Sequence, residues 1–307
     1  MPLLCYIGKL ITIQEKPLNE ITPRLAPGLH NVSNDVHHAD PAVGSSGLKE
    51  ILRSPAHFFA RYLNPERAPS KVTPALALGT AWHCAVFEGD DEFRRRYSVL
   101  PAGLDRRTKE GKALFAEIVA TGREPISEED AAAVLAMSAA ARRHPVGRIL
   151  FANENAITER SIVFPLDALL GKIRPDFMVP PCDSFPAGLI VDGKSAEDAR
   201  ADAFGRAAWN YGYLLQAAWY VDGFQRHFAT SKPPLFVWLA QEKEAPFATQ
   251  FYRAAPDLLA FGRGQYERAF GIYAHCLRRG DWPAYDGHIV DLKMPAWAAK
   301  EIEEVSA

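Results

Sequence analysis

The chain has 307 residues, a hydrophobic content of 48% and a formal net charge of −2. The length suggests one large domain or two small ones, and the 17 Phe, 10 Tyr and 6 Trp residues exclude a disordered chain. The near-zero net charge excludes a global basic field, so any contact with nucleic acid must use local patches.

The first half of the chain is predicted to be mostly helical. Residues 1–44 are rich in Pro, His, Asn and Asp, which indicates an extended N-terminal arm. A helix is expected from Ser45, with a break or kink at Pro55 because proline disrupts a helix interior. The elements that follow are a Pro-rich connector, a helix, a charged and loop-rich segment and two Ala-rich helices, at 64–75, 76–87, 89–112, 111–120 and 127–143.

The second half of the chain alternates between strands and helices. The pattern predicts three strands, a long helix, two strands and a final helix, at 157–164, 171–179, 187–194, 202–228, 235–241, 247–253 and 256–279. This order is typical of an α/β (α+β) fold in which a mixed central sheet is flanked by helices. We therefore expect the arm of residues 1–44 to precede a single domain at 45–307.

Two short fragments in the second and third of these strands carry acidic and basic groups. They are Arg174-Pro175-Asp176 and Asp192-Gly193-Lys194. Strand alternation puts Lys172, Arg174 and Asp176 on one face of the second strand, and Asp192 and Lys194 on one face of the third. If the strands are neighbours, two carboxylates and an amine converge, as metal-assisted phosphodiester hydrolysis requires. The alternative makes Asp176 a turn residue and the Asp192–Lys194 pair a solvated strand end.

Two predicted helices carry residues that suit such a site. His83 lies on an otherwise apolar helix, and a neutral imidazole can complete the coordination of a divalent ion. The alternative is an ordinary core or surface histidine. Gln216 and Tyr220 are four residues apart and share a helix face, which either packs against the core or lines the cleft.

These motifs together resemble the phage-type exonucleases related to the C-terminal nuclease domain of RecE (exodeoxyribonuclease VIII). That family lies in the λ-exonuclease/RecB branch of the PD-(D/E)xK superfamily, so the resemblance implies a restriction-endonuclease-like core. The resemblance spans about residues 37–220. It is carried, in the family's order, by HHADPAVGSSGLKEILRSPAHFFARYLNPE, LGTAWHCAVFE, DRRTKEGK, KIRPDF, IVDGKS and NYGYLLQAAWY.

The resemblance also implies a role for each matching residue. The implied metal ligands are His83, Asp176, Asp192 and the backbone carbonyl of Gly193. Lys194 matches the catalytic lysine, and Gln216 and Tyr220 match the Q-x-x-x-Y motif that follows the core sheet. The implied cofactor is Mg²⁺ or Mn²⁺, as one or two ions.

Cysteine usage predicts that the protein has no iron–sulfur cluster. Related helicase-associated and CRISPR-associated nucleases often carry one, but Ser54-Pro55 stands here where they have Cys-Pro. The four cysteines, at positions 5, 84, 182 and 276, form no C-x-x-C pair, and this fits a reducing compartment. No apolar run approaches the ~18 residues of a membrane span, so we expect a cytoplasmic protein without a membrane partner.

Several basic residues are candidates for contacts with DNA. They are Arg53, Arg106, Arg107, Lys109 and Arg174. The segment DRRTKEGK is preferred among them, because arginine forks suit the several acceptors of a terminal 5′-phosphate. The alternative is that these charges form ordinary solvated faces.

The function predicted from these observations is that of a metal-dependent DNA exonuclease. It would degrade double-stranded ends in the 5′→3′ direction and leave 3′ single strands for recombination. The resemblance further implies a ring-shaped homo-oligomer and a single-strand annealing protein as partner. Two alternatives stay open: a nuclease of the same fold that acts on single-stranded DNA or as an endonuclease, and a non-catalytic DNA-binding module.

Overall fold

The computed structural model of the chain describes residues 25–67, 73–101, 103–104, 107–285 and 287–294. Its strands β1–β10 are Gly28–His30, Tyr97–Val99, Glu124–Ile126, Ile157–Thr158, Ser161–Leu166, Leu169–Ile173, Phe177–Val179, Leu189–Ala196, Leu235–Glu242 and Thr249–Arg253. Its helices α1–α11 are Asn34–Ala39, Ser45–Arg53, Pro55–Phe58, Pro74–His83, Asp90–Arg96, Lys109–Ala120, Glu128–Arg143, Pro145–Leu150, Ala201–Asn210, Tyr213–Phe228 and Pro256–Arg279. Two π-helical turns, Phe59–Leu63 and Cys84–Glu88, continue α3 and α4.

The central sheet has five strands in the order β10-β9-β8-β7-β4. β8 and β9 are parallel, and the other pairs are antiparallel. A parallel pair needs a long crossover connection, which α9 and α10 supply between β8 and β9. The predicted mixed central sheet is confirmed.

Helices cover both faces of this sheet. Side chains alternate along β8, so Ile190 faces one buried cluster and Leu189 and Val191 face the other. The first cluster includes residues of α2, α9, α10 and α11, and the second includes residues of α4, α5, α7 and α8. Burial of each large aliphatic side chain contributes about 1.5–3 kcal/mol, so the two layers hold the sheet between them.

Two predicted strands are wrong, because each divides between two sheets. β5 and β6 form a separate three-stranded sheet with β1, whereas β4 and β7 belong to the central sheet. The chain changes sheets at Glu159–Arg160 and again at Arg174–Asp176. The alternation of polar and apolar residues continues across the second break, whereas the first lies in the polar run Glu159-Arg160-Ser161. The two breaks lie side by side, since the Glu159 N–H donates to the Asp176 carbonyl oxygen at 3.2 Å.

Residues 25–44 differ from the extended arm that their composition predicts. β1 pairs with β5, and Val43 bridges to Gly171 beside it. Polar side chains stabilise the segment locally, because Asp40 accepts hydrogen bonds from the backbone N–H groups of Leu25 and Ala42. This segment therefore packs on the smaller sheet, and residues 1–24 lie outside the described residues.

The remaining differences concern helices. The segment at 89–112, predicted to be loop-rich, contains α5 and β2. Arg96 forms ion pairs with Glu88 and Glu92, and the pair with Glu92 has the i, i+4 spacing that stabilises a helix. The long helix predicted at 202–228 breaks at Gly212, which adopts a left-handed conformation with φ of 65°. The final helix has the predicted bounds. Among the described helices, none has the length and apolar character that crossing a membrane demands.

Candidate active site

Strand β8 orients the acidic and basic groups of the site. Asp192 and Lys194 point toward α10, and their side chains are 1% and 15% exposed. Gly193 lies between them and faces the opposite layer. A Cβ atom on Gly193 would lie 2.7 Å from a ring carbon of Phe87 and 2.9 Å from one of Trp82. Only glycine therefore lets these two rings pack against the strand.

Asp176 joins the site from the break between β6 and β7. Its Oδ2 accepts a hydrogen bond of 2.6 Å from the Gly193 N–H. Its Oδ1 lies 3.2 Å from Nδ1 of His83, the last residue of α4. The side chains of His83 and Asp176 therefore meet beside β8, although they come from different elements.

The carboxylate of Asp192 is held between a helix and a lysine. Gln216 on α10 donates its amide N–H to Asp192 Oδ1 at 2.9 Å. The Lys194 ammonium forms an ion pair with Asp192 Oδ2, and among the described residues this buried oxygen has no other polar partner. The ammonium also lies 4.9 Å above the ring of Tyr213. The two oxygens of Asp192 are thus held by one neutral donor and one cation.

Tyr220 contacts the backbone that leads to Asp176. Its hydroxyl donates a hydrogen bond of 3.2 Å to the carbonyl oxygen of Arg174. Burial raises the pKa of Tyr220, and the neighbouring Asp192 and Asp176 charges raise it further. This hydrogen bond therefore ties α10 to the chain segment that carries Asp176.

Glu159 belongs to the site and was missed by the sequence analysis. His83, Glu159 and Asp176 each offer a ligand atom, and these atoms lie within 4.8 Å of one another. Glu159 adopts a left-handed backbone conformation, with φ of 50°, in the break between β4 and β5. A glutamate that interrupts a strand pattern is a weak signal, and its closeness to Asp176 depends on where both strands break.

Arg174, two residues before Asp176, has internal hydrogen-bond partners. Arg174 donates to Glu159 Oε2 at 2.9 Å and to the carbonyl oxygen of Val32 and the hydroxyl of Ser161 at 3.0 Å. Its side chain is 12% exposed, so the structure favours a role in holding Glu159 over the predicted contact with DNA.

Lys172 does not share a face with Asp176, contrary to prediction, because β6 ends at Ile173. Its ammonium is buried and donates to the carbonyl oxygens of His37 and Asp40 at 2.5 and 2.6 Å. Lys172 therefore fixes the N-terminal segment to the smaller sheet.

Of the other predicted DNA contacts, those that the structure describes are exposed. Arg53, at the end of α2, has a side chain that is 62% exposed and lies 4.0 Å from Glu50. Arg107 and Lys109 are exposed where α6 begins, and Arg106 lies outside the described residues. Contacts of these four residues with DNA stay predictions.

Among the residues described, the cysteines form no disulfide bond. Cys84, Cys182 and Cys276 are free, and Cys5 lies outside the described residues. The expectation of no iron–sulfur cluster stays a prediction.

His83 and Asp176 form an ion pair. Burial alone lowers the pKa of His83, but the charge and hydrogen bond of Asp176 outweigh it and raise the pKa above the usual value. Burial alone raises the pKa of Asp176, but His83, Lys194 and the Gly193 N–H together bring it below its usual value. Each partner therefore stabilises the charged form of the other.

Burial favours the protonated forms of the other two carboxylates, although each has a cationic partner. Burial, followed by the Asp176 charge, raises the pKa of Glu159 to about 7. Burial also raises the pKa of Asp192, although Lys194 opposes it, and the pKa of Lys194 is raised because Asp192 and Asp176 outweigh its burial. Carboxylates that hold their protons so firmly are typical of a site that takes a further cation.

The donor set fits a hard divalent ion. The cluster of His83, Glu159 and Asp176 offers one imidazole nitrogen and two carboxylates, and the Asp192 carboxylate is close enough to feel the charge of Asp176. Oxygen ligands with one histidine suit Mg²⁺ or Mn²⁺, and the identity of the ion is a matter for experiment.

A solved structure resembles the whole described fold. It is a candidate exonuclease from Eubacterium rectale, with a TM-score of 0.56 and 12% identity, and the alignment covers 88% of this chain and 98% of that one. A second structure, SSO0001, aligns with a TM-score of 0.29 and 11% identity over 79% of each chain, which is too low to support an argument. No curated protein matches the chain.

A family model covers most of the sequence. The model, described as a PDDEXK-like domain of unknown function (DUF3799), matches residues 44–294, and this range contains every residue of the site. With the solved structure above, the match confirms the PD-(D/E)xK fold that the sequence predicts. The closer relationship to RecE stays a prediction. The chain belongs to the family of PDDEXK-like domains described as DUF3799.

Proposed function

We propose that the protein is a divalent-metal-dependent DNA exonuclease that degrades double-stranded ends in the 5′→3′ direction. The product would be a duplex with 3′ single strands, suited to recombination. The observation that carries this proposal is one cluster of acidic and basic side chains in a PD-(D/E)xK fold, formed by His83, Glu159, Asp176, Asp192 and Lys194.

The metal would be Mg²⁺ or Mn²⁺, as one or two ions. His83, Glu159, Asp176 and Asp192 would hold it, and the Gly193 carbonyl is a further predicted ligand. When bound, the ion supplies Lewis-acid stabilisation of the charge that develops on the phosphate.

The chain's own groups supply positioning and proton handling. Lys194 forms an ion pair with Asp192 and would orient the attacking water and hold positive charge beside the scissile phosphate. Gln216 fixes the rotamer of Asp192, and Tyr220 fixes the segment before Asp176. Lys194 is thus the catalytic residue, and Gln216 and Tyr220 support the ligands.

A degradation assay tests this proposal, in which purified protein is incubated with linear and covalently closed circular duplexes of the same sequence. With Mn²⁺, the linear duplex should be degraded and the circle spared, and EDTA should abolish degradation. Cleavage of the circle would indicate an endonuclease, and exclusive cleavage of single strands would indicate the other same-fold alternative. No Mn²⁺-dependent degradation of any DNA would favour a non-catalytic DNA-binding module. Duplexes labelled at one 5′ or 3′ end then measure polarity.

Substitution of the lysine separates chemistry from binding. Lys194→Ala should fold and bind DNA normally but lose cleavage by about 10²–10⁴-fold, the usual contribution of a positioned proton-transfer group. The exposed Lys232→Ala is the matched control and should cleave at the wild-type rate. Wild-type cleavage by Lys194→Ala would remove the lysine from the mechanism.

Two partners are proposed with this activity. A ring of identical subunits around DNA would keep a protein of net charge −2 on its substrate by topology. A single-strand annealing protein would bind the 3′ strand that the reaction leaves. Gel filtration with light scattering tests the ring, and a strict monomer would contradict it.

A further inference from the structure

A cavity of about 270 Å³ opens where α2 meets the break between α9 and α10. Its lining includes Lys49, Trp209, Tyr211, Leu215 and Gln265. These side chains play no part in the site already described.

Large aromatic rings are exposed at this cavity. The side chain of Trp209 stacks on Phe261 with ring centroids 4.9 Å apart and an interplanar angle of 25°. Trp209 and Tyr211 are nevertheless 61% and 65% exposed. Neighbouring aromatic faces that stay in water are characteristic of surfaces that bind a ligand, and flat heterocycles are the ligands that stack on them.

Polar groups at the cavity complement a nucleotide. The Lys49 ammonium donates to the Tyr211 carbonyl oxygen at 3.3 Å and offers further N–H groups to an anion. The side-chain oxygen of Gln265 is buried and has no hydrogen-bond partner among the described residues. An amide with unused hydrogen-bonding capacity can pair with the polar edge of a base.

The break between α9 and α10 brings these groups together. Gly212 has φ of 65°, and a Cβ atom there would lie 2.8 Å from the Lys49 side chain. The left-handed glycine turns the chain so that Trp209 and Tyr211 project beside α2, and it leaves room for the lysine stem.

A short series of ring contacts joins this cavity to the active site. The Lys194 ammonium lies 4.9 Å from the centre of the Tyr213 ring, which lies 5.8 Å from the Tyr211 ring. A stacked strand advances about 3.4 Å per nucleotide. The cavity is therefore only a few nucleotides from a phosphate held at Lys194.

We propose that this cavity is a nucleobase-binding subsite, in which Trp209 and Tyr211 stack an unpaired base of the strand whose phosphate lies at Lys194. Lys49 contacts the phosphate of that nucleotide, and Gln265 faces its edge. The inference rests on the proposed nuclease function and specifies its substrate as a strand with an unpaired base near the scissile phosphate.

Binding of a short labelled strand of thymidines, measured by fluorescence anisotropy in EDTA, tests this subsite without cleavage. The comparison strand has the same length and an abasic backbone. The wild type should bind the base-bearing strand about tenfold more tightly or better, because stacking a base on an aromatic side chain has an effect of that order. Trp209→Ala should lose this preference, and Trp209→Phe should largely keep it. Tyr285→Ala, which removes a 71% exposed ring outside the cavity, is the matched control and should bind like the wild type.

Two results would overturn the subsite: equal binding of both strands by the wild type, or an unchanged preference in Trp209→Ala. If Trp209→Ala kept the preference but lowered the oligomeric state in light scattering, the aromatic face would be a contact between copies of the chain. Failure of the proposed function is separate. Wild-type protein that prefers the base-bearing strand but never degrades DNA with Mn²⁺ would retain the subsite and lose the catalytic proposal.

Discussion

Gly193 is constrained in two ways, by the space at its Cβ position and by its backbone N–H. Phe87 and Trp82 pack where a side chain would stand, and the Gly193 N–H holds Asp176. Gly193→Ala should therefore lower the free energy of unfolding by about 1–3 kcal/mol, the usual cost of overpacking. Urea unfolding measures this loss.

The matched control for this substitution is Gly264→Ala in α11, where an added Cβ meets no atom within 4 Å. It should stabilise the protein by up to about 1 kcal/mol, because alanine favours a helix. Equal stability of Gly193→Ala and wild type would show that the two rings move aside easily.

Glu159 is the residue whose assignment to the site depends most on the structure. Glu159→Gln keeps the size of the side chain and removes the carboxylate, so Mn²⁺ affinity measured by calorimetry should fall about tenfold or more. The exposed Glu154→Gln, five residues earlier, is the control and should bind Mn²⁺ like the wild type. Unchanged affinity in Glu159→Gln would exclude this glutamate as a ligand.

Residue identity alone predicts part of this site. Asp176, Asp192 and Lys194 form a recognisable motif, and β8 carries the last two as strand alternation predicts. Glu159 has no such motif, because its place depends on two chain breaks that adjoin in space. Arg174 and Lys172 show the same limit, since a strand that ends at Ile173 sends their side chains to internal partners.

At the scale of elements, α1 is held by a buried neutral histidine. His37 is 8% exposed, and its Nδ1 lies 2.9 Å from the Ser161 hydroxyl. Burial, followed by the charges of Lys172, His38 and Arg174, lowers the pKa of His37 to about 3. Below pH 6.5, His37 therefore binds a proton in the unfolded chain but stays neutral in the folded chain. The free energy of unfolding falls as the pH falls from 6.5 toward 3.

The expected loss from this residue is about 2 kcal/mol at pH 5 relative to pH 8. His37→Asn should remove that part of the pH dependence, as measured by urea unfolding at both pH values. His275→Asn, at an exposed position of α11, is the control. The same pH dependence in wild type and His37→Asn would contradict this account of α1.

Element boundaries follow from sequence where local signals are strong. α11 begins at Pro256 and ends before Gly280, and both residues are standard helix-boundary residues. α7 likewise follows Ser127, whose side chain caps the helix. The local signals at Glu159 and Asp176, a polar run and Pro175, are too weak to predict a change of sheet, because the partner strands that decide it are distant in sequence.

At the scale of the whole molecule, the site lies where the two sheets meet and the helical layers approach. The central sheet supplies Asp192 and Lys194, α4 supplies His83, and the breaks between sheets supply Glu159 and Asp176. Because four parts of the fold must be in place together, metal binding and folding should support each other. Because the net charge is −2, the proposed attraction of DNA would depend on local groups such as this cluster and the metal ion proposed for it.

The most direct test is the anomalous difference density of a crystal soaked in Mn²⁺. We predict a peak between the side chains of His83, Glu159 and Asp176, with Asp192 adjacent, and a loss of that peak in Glu159→Gln or Asp176→Asn. A wild-type crystal saturated with Mn²⁺ that showed no peak there would contradict the metal-dependent nuclease described above.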